Sequence, residues 1–166
     1  MGNTFNHADS RSQLSDPNAD WSAVREWRKE TRTRLIKQRI GISALDHAAW
    51  SARISRSLAA ALGPSGAKLI GFYWPFRGEY DPRDLMATLR DQGTRIALPV
   101  IEERDQPLSF REWQPGSLMT RGVWSVPMPE SGEIVVPDLL VVPLVGFDAQ
   151  GYRLGLPARS RLPRWI

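Results

Sequence analysis

The chain has 166 residues, 42% apolar and 24% charged, which suits one domain with a buried core rather than several domains or a disordered chain. It has no cysteine, which excludes disulfide scaffolds, thiolate metal sites and cysteine nucleophiles, and its only histidines, His7 and His47, argue against imidazole-rich metal centres. The net charge of +4 is carried almost wholly by arginine and fits a phosphate- or carboxylate-bearing ligand, although a GC-rich genome would give the same arginine bias.

Residues 1–20 are polar, turn-rich and without an apolar stretch; they read as a disordered leader and not as a signal peptide. No run of apolar residues is long enough to span a membrane, so a cytoplasmic protein is expected. From Trp21 the spacing of Trp21, Val24, Trp27, Thr31 and Leu35 predicts a helix with one apolar face, the other carrying Arg25, Arg28, Lys29, Arg32 and Arg39. Gly41 ends it. Ser43, three residues before Asp46, predicts the cap of a second helix with the stripe Trp50, Ile54, Leu58 and Leu62, closed by the GPSG of 63–66. His47 falls in its first turn, with no chemical role expected.

The run LIGFYW at 69–74 predicts a buried strand, followed by the loop Pro75–Tyr80. Asp81 as cap and Pro82 at the first helical position open a short helix, with Leu85, Met86 and Leu89 facing the core and Gly93 beyond its end. RIALPVI at 95–101 predicts a strand and LSFREW at 108–113 another, with the polar turn ERDQP between them. Residues 114–137, rich in proline and glycine, are expected to be irregular. DLLVVPLVGF at 138–147 predicts a central parallel strand covered on both faces. Strand, helix, strand and a later buried strand indicate a three-layer α/β domain, a Rossmann-like, mainly parallel sheet flanked by helices.

In such a sheet a ligand belongs beyond the carboxyl ends of the strands. Two loops leave such ends. Trp74–Tyr80 offers aromatic surface and one carboxylate, Glu79. Phe147–Gly155 offers Arg153 between glycines, where backbone amides and a guanidinium could meet a phosphate.

FYWPFRGEYD, RIALPV and PDLLVVPLVGFDAQGYRLG, preceded by the basic helix VREWRKETRTRLIKQR, together resemble the 5-formyltetrahydrofolate cyclo-ligase family, the methenyltetrahydrofolate synthetases. The resemblance runs in order over about residues 21–155 and is most specific at VPLVGFD-x-x-G-x-RLG. It implies an ATP-dependent ring closure. ATP phosphorylates the formyl oxygen of 5-formyltetrahydrofolate, the neighbouring amine closes a five-membered ring, and phosphate leaves to give 5,10-methenyltetrahydrofolate. The protein would contribute positioning and charge neutralisation, with magnesium on the triphosphate.

Carried over residue by residue, the resemblance implies ATP phosphate contacts from Val24–Arg28, Arg28 being the best match. Arg25 stands beside Val24, where the family often has lysine. It implies that Trp74 and Glu79 contact folate, Trp74 as an apolar surface near the pterin and Glu79 as a hydrogen-bond acceptor. Arg153, Leu154 and Gly155 match the start of the nucleotide loop, with Arg153 in the catalytic role.

Beyond RLG the family continues as a glycine-rich stretch, roughly GYGGGYYD, that cradles the triphosphate and supplies a metal-holding aspartate. Here Leu156–Ile166 follow instead, with prolines at 157 and 163 that lack amide donors. The expectation is a leader at 1–20, an incomplete cyclo-ligase-like domain at 21–155, truncated or frame-shifted after Gly155, and an atypical tail at 156–166. No residue here is assigned to hold metal, and turnover is expected to be weak or absent. The alternatives are an inactive relative that binds folate or a partner protein and, ranked below it, a basic nucleic-acid-binding module. A monomer acting on small molecules, with no membrane association, is expected.

Overall fold

The computed structural model describes residues 20–101, 108–122 and 125–155. Residues 1–19 of the expected 1–20 leader, the ERDQP turn and the tail at 156–166 therefore lie outside the described residues.

Asp20 starts helix α1 (Trp21–Ile40), its carboxylate accepting the Ser22 amide at 2.8 Å, and Gly41 ends it. Ser43 caps α2 (Ala44–Leu62) by accepting the Asp46 amide at 3.1 Å, and a turn of 3₁₀ helix (Gly63–Ser65) closes it with Gly66 left-handed. The expected stripes are only partly the packed ones. Trp21 and Trp27 are 51% and 59% exposed and Trp50 is 49% exposed, whereas Ile36, outside the expected stripe, is buried. Tryptophan marks an apolar position, but its spacing alone does not say which side of the helix meets the sheet.

Strand β1 (Leu69–Gly71) runs parallel to β2 (Arg95–Val100) on one side and to β7 (Leu139–Leu140) on the other. Helix α3 (Arg83–Asp91) joins β1 to β2, the crossover that parallel strands require. The expected cap is shifted: Pro82, not Asp81, is the N-cap and stands one residue outside the helix, while Asp81 before it accepts the Arg83 amide at 3.1 Å. Strand β3 (Ser109–Trp113) pairs antiparallel with β2, and β6 (Ile134–Val135) with β3, giving the order β6–β3–β2–β1–β7. The expected α/β arrangement is thus present, its parallel part centred on β1.

Alternation along the strands sorts the core. Ile70, Phe72, Ile96, Leu98 and Trp113 pack with Leu62 of α2 and with Leu85, Met86 and Leu89 of α3. Leu69, Ala97 and Phe110 face the other way.

One expectation is refined and another corrected. The stretch 114–137 is mostly irregular, as expected, but short strands interrupt it: β4 (Met119–Arg121) and β5 (Pro127–Pro129) pair in it, and β6 joins the main sheet. The run 138–147 is not one central strand. Leu139 and Leu140 form the edge strand β7, and β8 (Gly146–Phe147) belongs to a separate hairpin with β9 (Arg153–Leu154). Val142 is 36% and Phe147 76% exposed, and Pro143 between the two pieces has no amide to continue a ladder.

Candidate functional site

The loop after β1 is built around a tight turn. The Glu79 amide donates to the Phe76 carbonyl at 3.3 Å, and both central residues are left-handed, Arg77 at φ 51° and Gly78 at φ 72°. Glycine is required at 78 for a second reason: a Cβ there would lie 3.3 Å from the Arg39 carbonyl oxygen. The turn therefore sits directly on the C-terminal end of α1.

Glu79 is buried at 7% exposure, the one buried charged residue among those described. One carboxylate oxygen accepts the Phe76 amide at 3.1 Å, and the other lies 3.5 Å from Nη2 of Arg39. Arg39 also donates from Nε to the Arg77 carbonyl at 3.0 Å and from Nη2 to the Phe76 carbonyl at 3.4 Å. From α2, the His47 ring donates through Nε2 to the Glu79 carbonyl at 3.0 Å. Burial pushes the Glu79 carboxyl above the usual carboxylate range, against the opposing pull of the Phe76 amide and the Arg39 charge. Burial and the nearby Glu79 charge also push the Tyr73 phenol up; its hydroxyl donates to the Tyr80 carbonyl at 2.9 Å.

Trp74 is half-buried. Its ring meets Trp113 edge-on at 6.3 Å between centroids and packs against the core, and the Arg83 guanidinium lies 5.4 Å from its centroid.

The second loop is a hairpin closed by its own turn. Asp148 accepts the amides of Gln150 and Tyr152 through Oδ1 at 3.0 and 2.9 Å, and its carbonyl accepts the Gly151 amide at 3.0 Å. Those amides are engaged within the turn, which leaves the exposed Arg153 as its charged group for an anion. The hairpin rests on α1: a Cβ on Gly146 would meet Leu35 Cδ1 at 2.9 Å, and Arg32 donates from Nε to the Gly155 carbonyl at 2.8 Å.

The two loops thus share one helix. Arg32 and Arg39 are seven residues apart, two turns and roughly 10 Å along the axis on one face, and each holds a different loop. Arg25 and Arg28 continue the same stripe and are exposed. Loop Trp74–Glu79 and residues Arg153–Gly155 are brought to the same side of α1, with Arg25 and Arg28 further toward its N-terminus. Arg32 and Arg39, which the sequence places on the face opposite the apolar one, are not simply solvated there, because both bond backbone carbonyls. Only the contact partners, far away in the chain, could have revealed that.

Among the described residues no group of three His, Asp or Glu is gathered that could hold a metal ion.

A profile described as the 5-formyltetrahydrofolate cyclo-ligase family matches residues 24–156, which include both loops and α1 from Val24 onward. The chain belongs to this family. A 5-formyltetrahydrofolate cyclo-ligase of Haemophilus influenzae is 28% identical over 135 residues, 78% of this chain and 72% of that protein. The structure resembles the NMR structure of Aquifex aeolicus 5,10-methenyltetrahydrofolate synthetase with a TM-score of 0.68 and 26% identity, over 78% of this chain and 66% of that one. It also resembles a Mycoplasma pneumoniae 5,10-methenyltetrahydrofolate synthetase with a TM-score of 0.64 over 80% of this chain and 73% of that one. At 21% identity this second likeness speaks for the fold alone. No helix among the described residues of this cyclo-ligase family member is long and apolar enough to cross a membrane.

Proposed function

We propose that the chain binds a reduced folate against the Trp74–Glu79 loop and ATP along the arginine stripe of α1 and the Arg153 hairpin, and that its reaction is the ATP-dependent closure of 5-formyltetrahydrofolate to 5,10-methenyltetrahydrofolate. The observation that carries this reading is the shared helix: Arg39 fixes the turn holding Glu79, and Arg32, two helical turns away, fixes the carbonyl of Gly155.

The roles follow from the chemistry. Glu79 presents a buried carboxylate as a hydrogen-bond acceptor, and half-buried Trp74 presents apolar surface to a pterin. Arg25, Arg28 and Arg153 are exposed cations for phosphate oxygens, and Leu154 and Gly155 lie where the hairpin meets α1. The γ-phosphoryl group passes to the formyl oxygen, making a poor leaving group a good one. The adjacent amine then attacks the formyl carbon, and phosphate departs. Arginines would stabilise the charge that moves during transfer, with Arg153 nearest in role to the chemistry.

A second reading, a folate-binding relative without turnover, is favoured by one observation. The hairpin amides at 150, 151 and 152 are spent on Asp148, so few backbone donors remain there for a triphosphate. One assay separates the two. With ATP, magnesium and 5-formyltetrahydrofolate, the enzyme reading requires an ATP-dependent rise in methenyl absorbance, and a version carrying a glycine-rich loop after Gly155 should raise it further. Folate binding with no such rise supports the second reading, and no folate binding overturns both.

A further inference from the structure

The Arg39 side chain makes three contacts to one turn: the Arg77 carbonyl at 3.0 Å, the Phe76 carbonyl at 3.4 Å and the Glu79 carboxylate at 3.5 Å. Both members of the ion pair are sheltered, with side-chain exposures of 16% and 5%. An arginine on a surface helix does not need such partners to keep the helix folded. The fork geometry suits the turn, because a planar guanidinium can reach two carbonyls and a carboxylate without moving. The turn also carries strain that needs holding, since Arg77 and Gly78 both have left-handed backbone, a conformation costly for arginine.

We infer that Arg39 is a positioning residue for the reduced folate, clamping the 76–79 turn to α1 and holding the Glu79 carboxylate ready to accept a ligand N–H. This rests on the reading of Glu79 as the folate acceptor. The groups around Glu79 are Arg39 from α1, His47 from α2, which bonds the Glu79 carbonyl, and Tyr73 just beyond β1, itself influenced by Tyr80 and Asp81. Arg39 is the one cation among them whose charge is sensed by the carboxylate, and its loss leaves burial less opposed.

The test is the affinity of the full chain for 5-formyltetrahydrofolate, followed by tryptophan fluorescence from about pH 4, the ordinary carboxylate range, upward. Glu79 must be ionised to accept, so affinity falls as pH falls through its raised pKa. Arg39→Gln keeps a donor and loses the charge. It should weaken binding by about tenfold or more at neutral pH, as expected for a sheltered charge left unpaired, and should move the midpoint of the pH profile upward. Arg39→Lys keeps the charge without the fork and should keep the wild-type midpoint with intermediate affinity. A purely structural role would lower affinity without moving the midpoint. Arg39→Gln with wild-type affinity and midpoint overturns the inference alone; a wild-type chain that does not bind the folate overturns the folate reading and this inference with it. Circular dichroism identifies any variant that fails to fold, and the other then decides.

Discussion

The loop after β1 and the β8–β9 hairpin leave the same side of α1, yet they are held by different means. Phe72, at the root of the first, is 2% exposed and packs among Ile70, Met86 and Leu98. The second has strands of two residues, and its Phe147 is 76% exposed. A turn rooted in a core inherits the stability of the whole domain, whereas a hairpin resting on one helix opens at a lower free energy. Geometry on the proposed folate side should therefore survive as long as the fold does, and geometry on the proposed nucleotide side should be lost earlier.

The strongest way to break this contrast is Phe72→Ala. Truncating a fully buried aromatic ring leaves a cavity between sheet and helix, and the expected loss is about 3–5 kcal/mol, enough to threaten folding. Urea denaturation followed by circular dichroism should show the midpoint falling with it. A loss below about 1 kcal/mol would mean that the first loop is not rooted in the core.

Glu79→Gln comes next and separates function from stability at one position. An accepting carboxylate exchanged for an amide should cost folate binding about 1.5–3 kcal/mol, roughly one to two orders of magnitude. The folded state should respond the other way. Because the folded-state carboxyl is raised above its unfolded value, the native chain binds more protons than the unfolded one between the two, and stability falls as pH rises through that window. Glutamine should remove that fall, so the variant melts at or above the wild-type temperature at neutral pH while binding worse. A variant that melts lower at neutral pH would show that the Arg39 pair outweighs the cost of burial.

How far these features could be read from residue order differs between the two loops. α1, α2, β1, α3, β2 and β3 follow from local patterns: Ser43 three before Asp46, the apolar run at 69–74, and Asp81 and Pro82 before a helix with core residues at 85, 86 and 89. Glu79 stood out as the single carboxylate of an aromatic loop. Arg32 and Arg39 did not, because a cation on a helix looks solvated until its partner is known, and their partners are 123 and 38 residues away. The run at 138–147 misled for a related reason. Apolar continuity signals burial on both faces, but pairing depends on neighbouring strands and on amides, and Pro143 supplies none.

Arg32→Ala should act on the hairpin and little else. It deletes the bond to the Gly155 carbonyl, about 1 kcal/mol, in a segment that already opens easily. Hydrogen exchange should quicken at the amides of Val145 and Asp148, which pair across the hairpin with the carbonyls of Leu154 and Tyr152, while the global urea midpoint barely moves. Affinity for ATP should fall several-fold with folate affinity unchanged. Equal losses for both ligands would show that α1 transmits the disturbance from one loop to the other.

Phe147→Ala is the smallest expected change and the closest control for the first. The residue type and the atoms removed are those of Phe72→Ala, so the difference between the two variants isolates burial from chemistry. Phe147 stands opposite Arg153 in the hairpin register with most of its surface in water, and truncation there should change stability by less than about 0.5 kcal/mol. Arg153 is held in that register by backbone pairing and not by the neighbouring ring, so ATP affinity should also hold. A loss approaching that of Phe72→Ala would mean that the hairpin is buried when the chain is in solution, and both loops would then share the stability of one core.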